Sequence, residues 1–202
     1  MFISLDGIDG CGKSTQVEHL ADRLRQEGYD VFTCRDPGST GLGEAVREIL
    51  LNRHELDICR MSEMLLFMAA RAQMMQALIL PALNSAKFVV TDRYLLSTIV
   101  YQGYAGKIAV DVIEQVGAIA TAGVLPDLNF ILDLPLETAR KRMNHREVDR
   151  MEQMGTDYHE QVRLGFLAHA KTDSQRFVVL DASLPSDAVA EQISEIVMAK
   201  MA

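Results

Sequence analysis

Five short apolar runs punctuate the chain: FISLD at 2–6, YDVFTC at 29–34, KFVVT at 87–91, DLNFILD at 127–133 and FVVLD at 177–181. They are rich in branched and aromatic residues and have the length of buried strands. Between them the apolar positions return at helical spacing. Val17, Leu20, Ala21 and Leu24 mark a helix over 16–25, and others follow over 44–51, over 62–80 up to Pro81, and over 97–102. A loop and a further helix fill 103–124, with Val110, Val112, Ile113, Val116 and Ile119 as core or interface, and a last helix covers 185–198. Strands alternating with helices predict an α/β fold with a five-stranded parallel sheet covered on both faces. The chain shows no repeat, linker or low-complexity tract, so residues 1–202 read as a single domain.

Composition narrows the function classes. A net charge of −8 argues against coating nucleic acid through a general basic field, so any bound anion must be met by local positive charge. No apolar run reads as long enough to span a bilayer, and the first strand begins without a signal-like segment. These points give the expectation of a cytoplasmic protein without a membrane or nucleic-acid partner. Three cysteines without paired ligand spacing fit reduced thiols, and the five histidines form no metal-binding pattern.

The most specific motif lies between the first strand and the first helix. Residues 7–14 read GIDGCGKS, followed by Thr15. This is a glycine, four residues, then Gly-Lys-Ser: a phosphate loop. Gly7, Gly10 and Gly12 let the backbone turn and aim its N–H groups, together with those of Ile8, Asp9, Cys11 and Thr15, at phosphate oxygens. Lys13 reaches the outer phosphates, and the Ser14 hydroxyl can ligate Mg²⁺. The helix N-terminus adds partial positive charge behind them.

Further candidates stand at the ends of the other strands, where open α/β sheets bind ligands. Arg35 opens the loop RDPGSTG, and Arg47 projects from the next helix. Phe67 and Arg71 are four residues apart and share a face. That pair suits a stacked nucleobase with the guanidinium on a carbonyl, or else a core ring beside a surface arginine. Asp92 ends a buried strand, where a carboxylate can hold Mg²⁺ through water, and Arg93 beside it can take a phosphate. Ser97 with Tyr101, and Thr98 with Gln102, form a hydrogen-bonding band on the following helix. Arg142, Arg146 and Arg150 recur at intervals of four, so a helix there would line them on one side, as a solvated face or as a cationic lid spanning about 140–152.

The ordered set GIDGCGKST, RDPGST, LLFMAAR, DRY, YQG, PDL and DRME resembles the thymidylate kinase family, a branch of the nucleoside monophosphate kinases, from first strand to last. The resemblance implies a three-layer P-loop kinase fold with a short lid, usually a homodimer. It implies transfer of the γ-phosphoryl group of ATP to dTMP with Mg²⁺. Residues 7–15 and Arg142 would bind ATP, and Lys13, Asp9, Arg93 and Arg146 would act on the migrating group. Asp9, Arg35, Arg47, Phe67, Arg71, Arg93, Ser97, Thr98, Tyr101 and Gln102 would hold dTMP; Ser14 and Asp92 would hold the metal. The helices bearing Phe67 and following Asp92 would form the dimer surface. The loop at Arg35 departs mildly from many bacterial relatives, and the lid is short, leaving the choice among Arg142, Arg146 and Arg150 open.

Overall fold

The structure, a computed structural model, describes residues 1–143, 150–151 and 153–201. Strands β1 (Phe2–Asp6), β2 (Val31–Arg35), β3 (Phe88–Asp92), β4 (Leu128–Asp133) and β5 (Phe177–Asp181) form one sheet in the order β2-β3-β1-β4-β5. Every pairing is parallel. Because side chains alternate along a strand, the near-continuous apolar runs of β1 and β3 serve two cores at once. Ile3, Leu5 and Val90 face one, while Phe2 and Val89 face the other.

Helices cover both faces: α1 (Lys13–Gln26), α2 (Gly41–Leu51), α3 (Arg60–Met74), α4 (Leu80–Asn84), α5 (Leu95–Thr98), α6 (Val110–Ala120), α7 (Leu136–Met143), α8 (Thr156–Ala170) and α9 (Ser186–Met201). The first core takes Leu20 and Leu24 of α1, Val162 and Phe166 of α8, and Val189, Ile193 and Val197 of α9. The second takes Met64, Met68 and Met74 of α3 with Ile113 of α6. β1 lies between β3 and β4, so the chain leaves the middle of the sheet towards opposite faces. The crevice at that switch point opens at the strands' C-terminal edge.

Four expectations from the sequence need correction. The helix expected to stop near Pro81 runs on, through the π-helical segment Met75–Ile79, into α4. Proline lacks an N–H and its ring would collide with the carbonyl of Ala77, and the wider π-turn before it absorbs both defects. The resulting helix, Arg60–Asn84, is long and apolar enough by length and composition to cross a membrane, which the sequence reading missed. Here Met64, Met68, Met74, Met75 and Ile79 spend that apolar character on the core. Helix α8 was not expected, because its buried stripe includes Gly165 and His169, which no apolar pattern registers. Finally, the helix after Asp92 continues as a π-segment, Ile99–Ala105, and only Tyr104 in it is even partly exposed. It is therefore interior and presents no dimer surface.

Candidate active site

Strand register assembles the site. Leu5 of β1 and Arg35 of β2 both stand opposite Asp92 of β3, so three chain turns meet at one edge. The loop after β1 can fold only with glycine at its first corner: Gly7 has φ +144°, and a Cβ there would lie 2.7 Å from the Leu132 carbonyl oxygen. Gly12, at φ +98°, caps α1 in the left-handed region and delivers Lys13 as the first helical residue. Lys13 is only 7% exposed. Its Nζ donates to the Ile8 carbonyl at 2.9 Å and lies 3.8 Å from Asp9 Oδ1. Cys11 is buried, and burial pushes its thiol pKa up against the pull of Lys13 and Arg93, which suits packing rather than nucleophilic work.

Ser14 Oγ donates to Asp92 Oδ2 at 2.5 Å. This pair of hard oxygens fits a Mg²⁺ that draws its remaining ligands from phosphate and water. Among the described residues no cluster of three or more histidine, cysteine or carboxylate side chains could hold a metal by itself.

Arg93 joins the two halves of the site. Its backbone has φ +69°, uncommon for a residue with a Cβ, and is fixed by N–H donation to Leu5 O at 2.9 Å and by Thr91 Oγ1 donating to its carbonyl at 2.9 Å. Its guanidinium donates to Gly7 O at 2.9 Å, Ser97 Oγ at 3.0 Å and Asp9 Oδ1 at 2.5 Å, and lies 5.2 Å from the centroid of the Tyr101 ring. Ser97 in turn donates to Asp6 Oδ1 at 2.6 Å. Burial opposes the charge on Arg93, but Asp9, Tyr101, Asp92 and Asp6 together raise its pKa well above the ordinary value. Burial likewise pushes the Tyr101 hydroxyl up, against the pull of Arg93.

A narrow slot of about 70 Å³ adjoins Arg93 and is lined by Phe67, Arg71, Ser97, Thr98, Tyr101 and Gln102, among others. Arg71 is 1% exposed, which removes the alternative of a surface arginine. Its Nε donates to Asp36 Oδ2 at 2.5 Å, and its Nη2 to Thr98 Oγ1 at 2.9 Å and Tyr94 O at 3.3 Å. Burial drives the Asp36 carboxyl pKa up, and Arg71 pulls against it. Phe67 is half-buried beside Val46, Leu50 and Ala70, with the slot in front of it. Arg47 Nη1 donates to Pro37 O at 3.1 Å.

A second, open cleft of about 650 Å³ follows the phosphate loop from Asp9 to Gln16 and continues to Arg142, Ala182, Leu184, Ser186 and Val189. The slot and the cleft share Asp9, Asp36, Arg47 and Arg93. Arg35, expected at the acceptor, lines only the cleft. Glu44 draws it aside at 3.1 Å; that carboxylate's pKa is lowered first by the Ser39 N–H and then by Arg35.

Arg142 and Arg150, two of the three arginines expected along a lid, do not share one helix. Arg142 sits in α7 and donates to Ala182 O at 3.1 Å, whereas Arg150 stands in a turn beyond it, donating to Leu50 O at 2.8 Å and pairing with Glu63. Arg146 lies outside the described residues. Glu63 was missed from sequence although it stands four residues before Phe67 and eight before Arg71 on the same face; it is fully buried and accepts from Arg60, Gln102 and Arg150. Asp36 was read only as part of the RDPGSTG loop. The 182–186 segment was also missed, although its position after β5, at the same sheet edge, is a signal in itself.

A sequence profile of thymidylate kinase matches residues 5–193. The chain belongs to the thymidylate kinase family. It is 43% identical over 180 residues to the thymidylate kinase of Thermoanaerobacter sp. strain X514, covering 89% of this chain and 88% of that one. It is 44% identical to the Rhodopirellula baltica enzyme, covering 96% and 78%, and 41% identical to that of Thermosipho melanesiensis, covering 98% and 97%. The crystal structure of thymidylate kinase from Ehrlichia chaffeensis superposes with a TM-score of 0.79 at 33% identity, covering 98% of both chains. The P-loop kinase fold and the family's activity, phosphorylation of dTMP to dTDP in nucleotide biosynthesis, thus stand on nearly the whole length of the chain.

Proposed function

We propose that the open cleft holds ATP, the slot holds dTMP, and the γ-phosphoryl group passes directly between them at Arg93. The observation that carries this reading is the set Asp9, Asp36, Arg47 and Arg93, common to both cavities. Two phosphorylated ligands seated there would bring their phosphates together, and no covalent enzyme intermediate is needed. The loop N–H groups of residues 7–15 would cradle the donor phosphates, with Lys13 moving from the Ile8 carbonyl to the migrating group. Arg47 and Arg93 would hold the acceptor phosphate, and Asp9 would fix the Arg93 fork. Phe67 would stack on thymine, Arg71 would donate to its carbonyl edge, and Thr98, Tyr101 and Gln102 would bound base and sugar. Arg142 would close over the adenine side, with Arg146, by its place between Arg142 and Arg150, meeting transition-state charge. Mg²⁺ at Ser14 and Asp92 would supply further charge neutralisation when bound.

The same reading makes the enzyme a cytoplasmic homodimer that engages neither membrane nor nucleic acid. Exposed apolar residues on α3 (Met61 and Leu65) and α6 (Val112 and Ile119) favour a shared face there. Light scattering should give twice the chain mass, and a monomer would refute the dimer.

The test of the acceptor is ADP production with ATP and Mg²⁺, offering dTMP, dUMP, UMP, dCMP and AMP in parallel. Strong preference for dTMP is expected. Preference for another monophosphate would dismiss the assignment of the slot.

A further inference from the structure

Glu63 lines neither the slot nor the cleft, yet it is a fully buried carboxylate one helical turn before Phe67 on α3. Burying a carboxylate is costly unless donors meet its oxygens. Here both oxygens are met. Oε1 accepts from Gln102 Nε2 at 2.9 Å and from Arg60 Nη1 at 3.2 Å, and Oε2 accepts from Arg150 Nη2.

Each donor leads to a different part of the acceptor slot. Gln102, 1% exposed, lines the slot itself. Arg150 precedes Met151, which is buried and also lines the slot. The Arg150 N–H donates to Leu51 O at 3.0 Å and its Nε to Leu50 O at 2.8 Å, and Leu51 is again a lining residue. The Arg60 guanidinium lies 5.1 Å from the centroid of the Tyr158 ring, whose hydroxyl donates to the carbonyl of Tyr101, another lining residue. One carboxylate on α3 thereby joins the end of α2, the helix after Asp92 and the turn at 150–151.

The chemistry of the joint requires a carboxylate. All three partners present N–H groups, and an ionised carboxyl accepts at both ends. In Glu63→Gln one oxygen becomes an –NH2 donor with little change of volume, so at one end donor faces donor. Either Gln102 or the turn at Arg150 then has to shift. A slot braced in advance loses less binding energy to ordering its own walls.

We propose that Glu63 is a positioning residue for the acceptor: it touches no substrate, but holds Gln102 and the Arg150–Met151 turn at the spacing that dTMP needs. That role rests on the slot being the dTMP site.

The test is calorimetric titration of the whole enzyme with dTMP, ATP being absent so that any action of Arg150 on donor phosphates does not enter. Glu63→Gln should raise the Kd for dTMP at least fivefold and Arg150→Met at least threefold, each with unchanged binding stoichiometry. A merely structural role would lower the stoichiometry, because an unfolded fraction binds nothing, and leave the Kd where it was. The double variant should bind within twofold of Glu63→Gln, since both changes break the same contact; effects that multiply would mean that the two residues act apart, and would overturn the role. In turnover, Glu63→Gln should raise the KM for dTMP and leave that for ATP within twofold; an equal rise in both would contradict an acceptor-side role. An unchanged Kd in Glu63→Gln, or in Arg150→Met where the first variant does not fold, would also overturn it. Phe67→Ala separates this role from the slot assignment. If it weakens dTMP and Glu63→Gln does not, the slot stands and the role of Glu63 falls; if neither weakens dTMP, both fall.

Discussion

Lys13 shows how one residue's chemistry depends on where the chain holds its ends. Its ammonium rests on the Ile8 carbonyl, and the side chain is almost wholly buried although it stands at the edge of the open cleft. There a charge aimed at developing phosphoryl charge is worth far more than in bulk water. Lys13→Ala and Arg146→Ala are each expected to lower kcat by about 10² or more in steady-state assays. Near-normal turnover by Arg146→Ala would hand its role to Arg142 or Arg150. The cysteines make a second residue-scale prediction. Burial pushes the Cys34 thiol up to about 12 and raises Cys11 as well, whereas hydrogen bonds from Ser62 lower the pKa of exposed Cys59. At pH 8, below the Cys34 value, that thiol stays protonated. Brief iodoacetamide treatment followed by peptide mass spectrometry should find Cys59 alkylated and the other two spared. Labelling of Cys11 ahead of Cys59 would contradict this.

Among the elements, the helix after Asp92 does the most positioning, and its burial explains why. It is clasped between both cores: Leu96, Val100 and Tyr101 belong to one, Leu95 and Ile99 to the other. Helix α8 crosses it closely because Gly165 carries no side chain; a Cβ there would lie 2.8 Å from Tyr104 Cβ. Gly165→Val should therefore cost about 1–3 kcal/mol and lower Tm by roughly 2–10 °C in calorimetry. An unchanged Tm would mean that the crossing can part without loss. The same crossing shows what patterning conceals. Strands were legible because apolar runs of that length have few other uses, and the phosphate loop because its spacing is demanded by phosphate. A helix that packs through glycine and histidine carries no such mark, and α8 was invisible for that reason. Pro81 misled in the opposite direction, since a π-turn upstream can absorb it.

For the whole molecule, what was legible was chemistry set by local order, and what was not was contact between distant segments. GIDGCGKS and DRY could be read as phosphate and metal chemistry one motif at a time. The burial of Arg71 on Asp36, and of Glu63 among Arg60, Gln102 and Arg150, arises only when α3 meets the β2 loop and the turn at Arg150. Such pairs are fixed by packing across the sheet edge, and the isolated stretches show half of each. The separation of Arg142 from Arg150, one at the donor cleft and one at Glu63, belongs to the same class.

Direct transfer requires cleft and slot to meet, and Asp9 and Arg93 line both. It is tested most directly by an analogue that joins adenosine and thymidine through a chain of phosphates. Inhibition competitive against both ATP and dTMP, with a Kd tighter than that of either substrate, is the predicted result. Competition against only one substrate would contradict the account, since the two cavities could not then be spanned by one molecule.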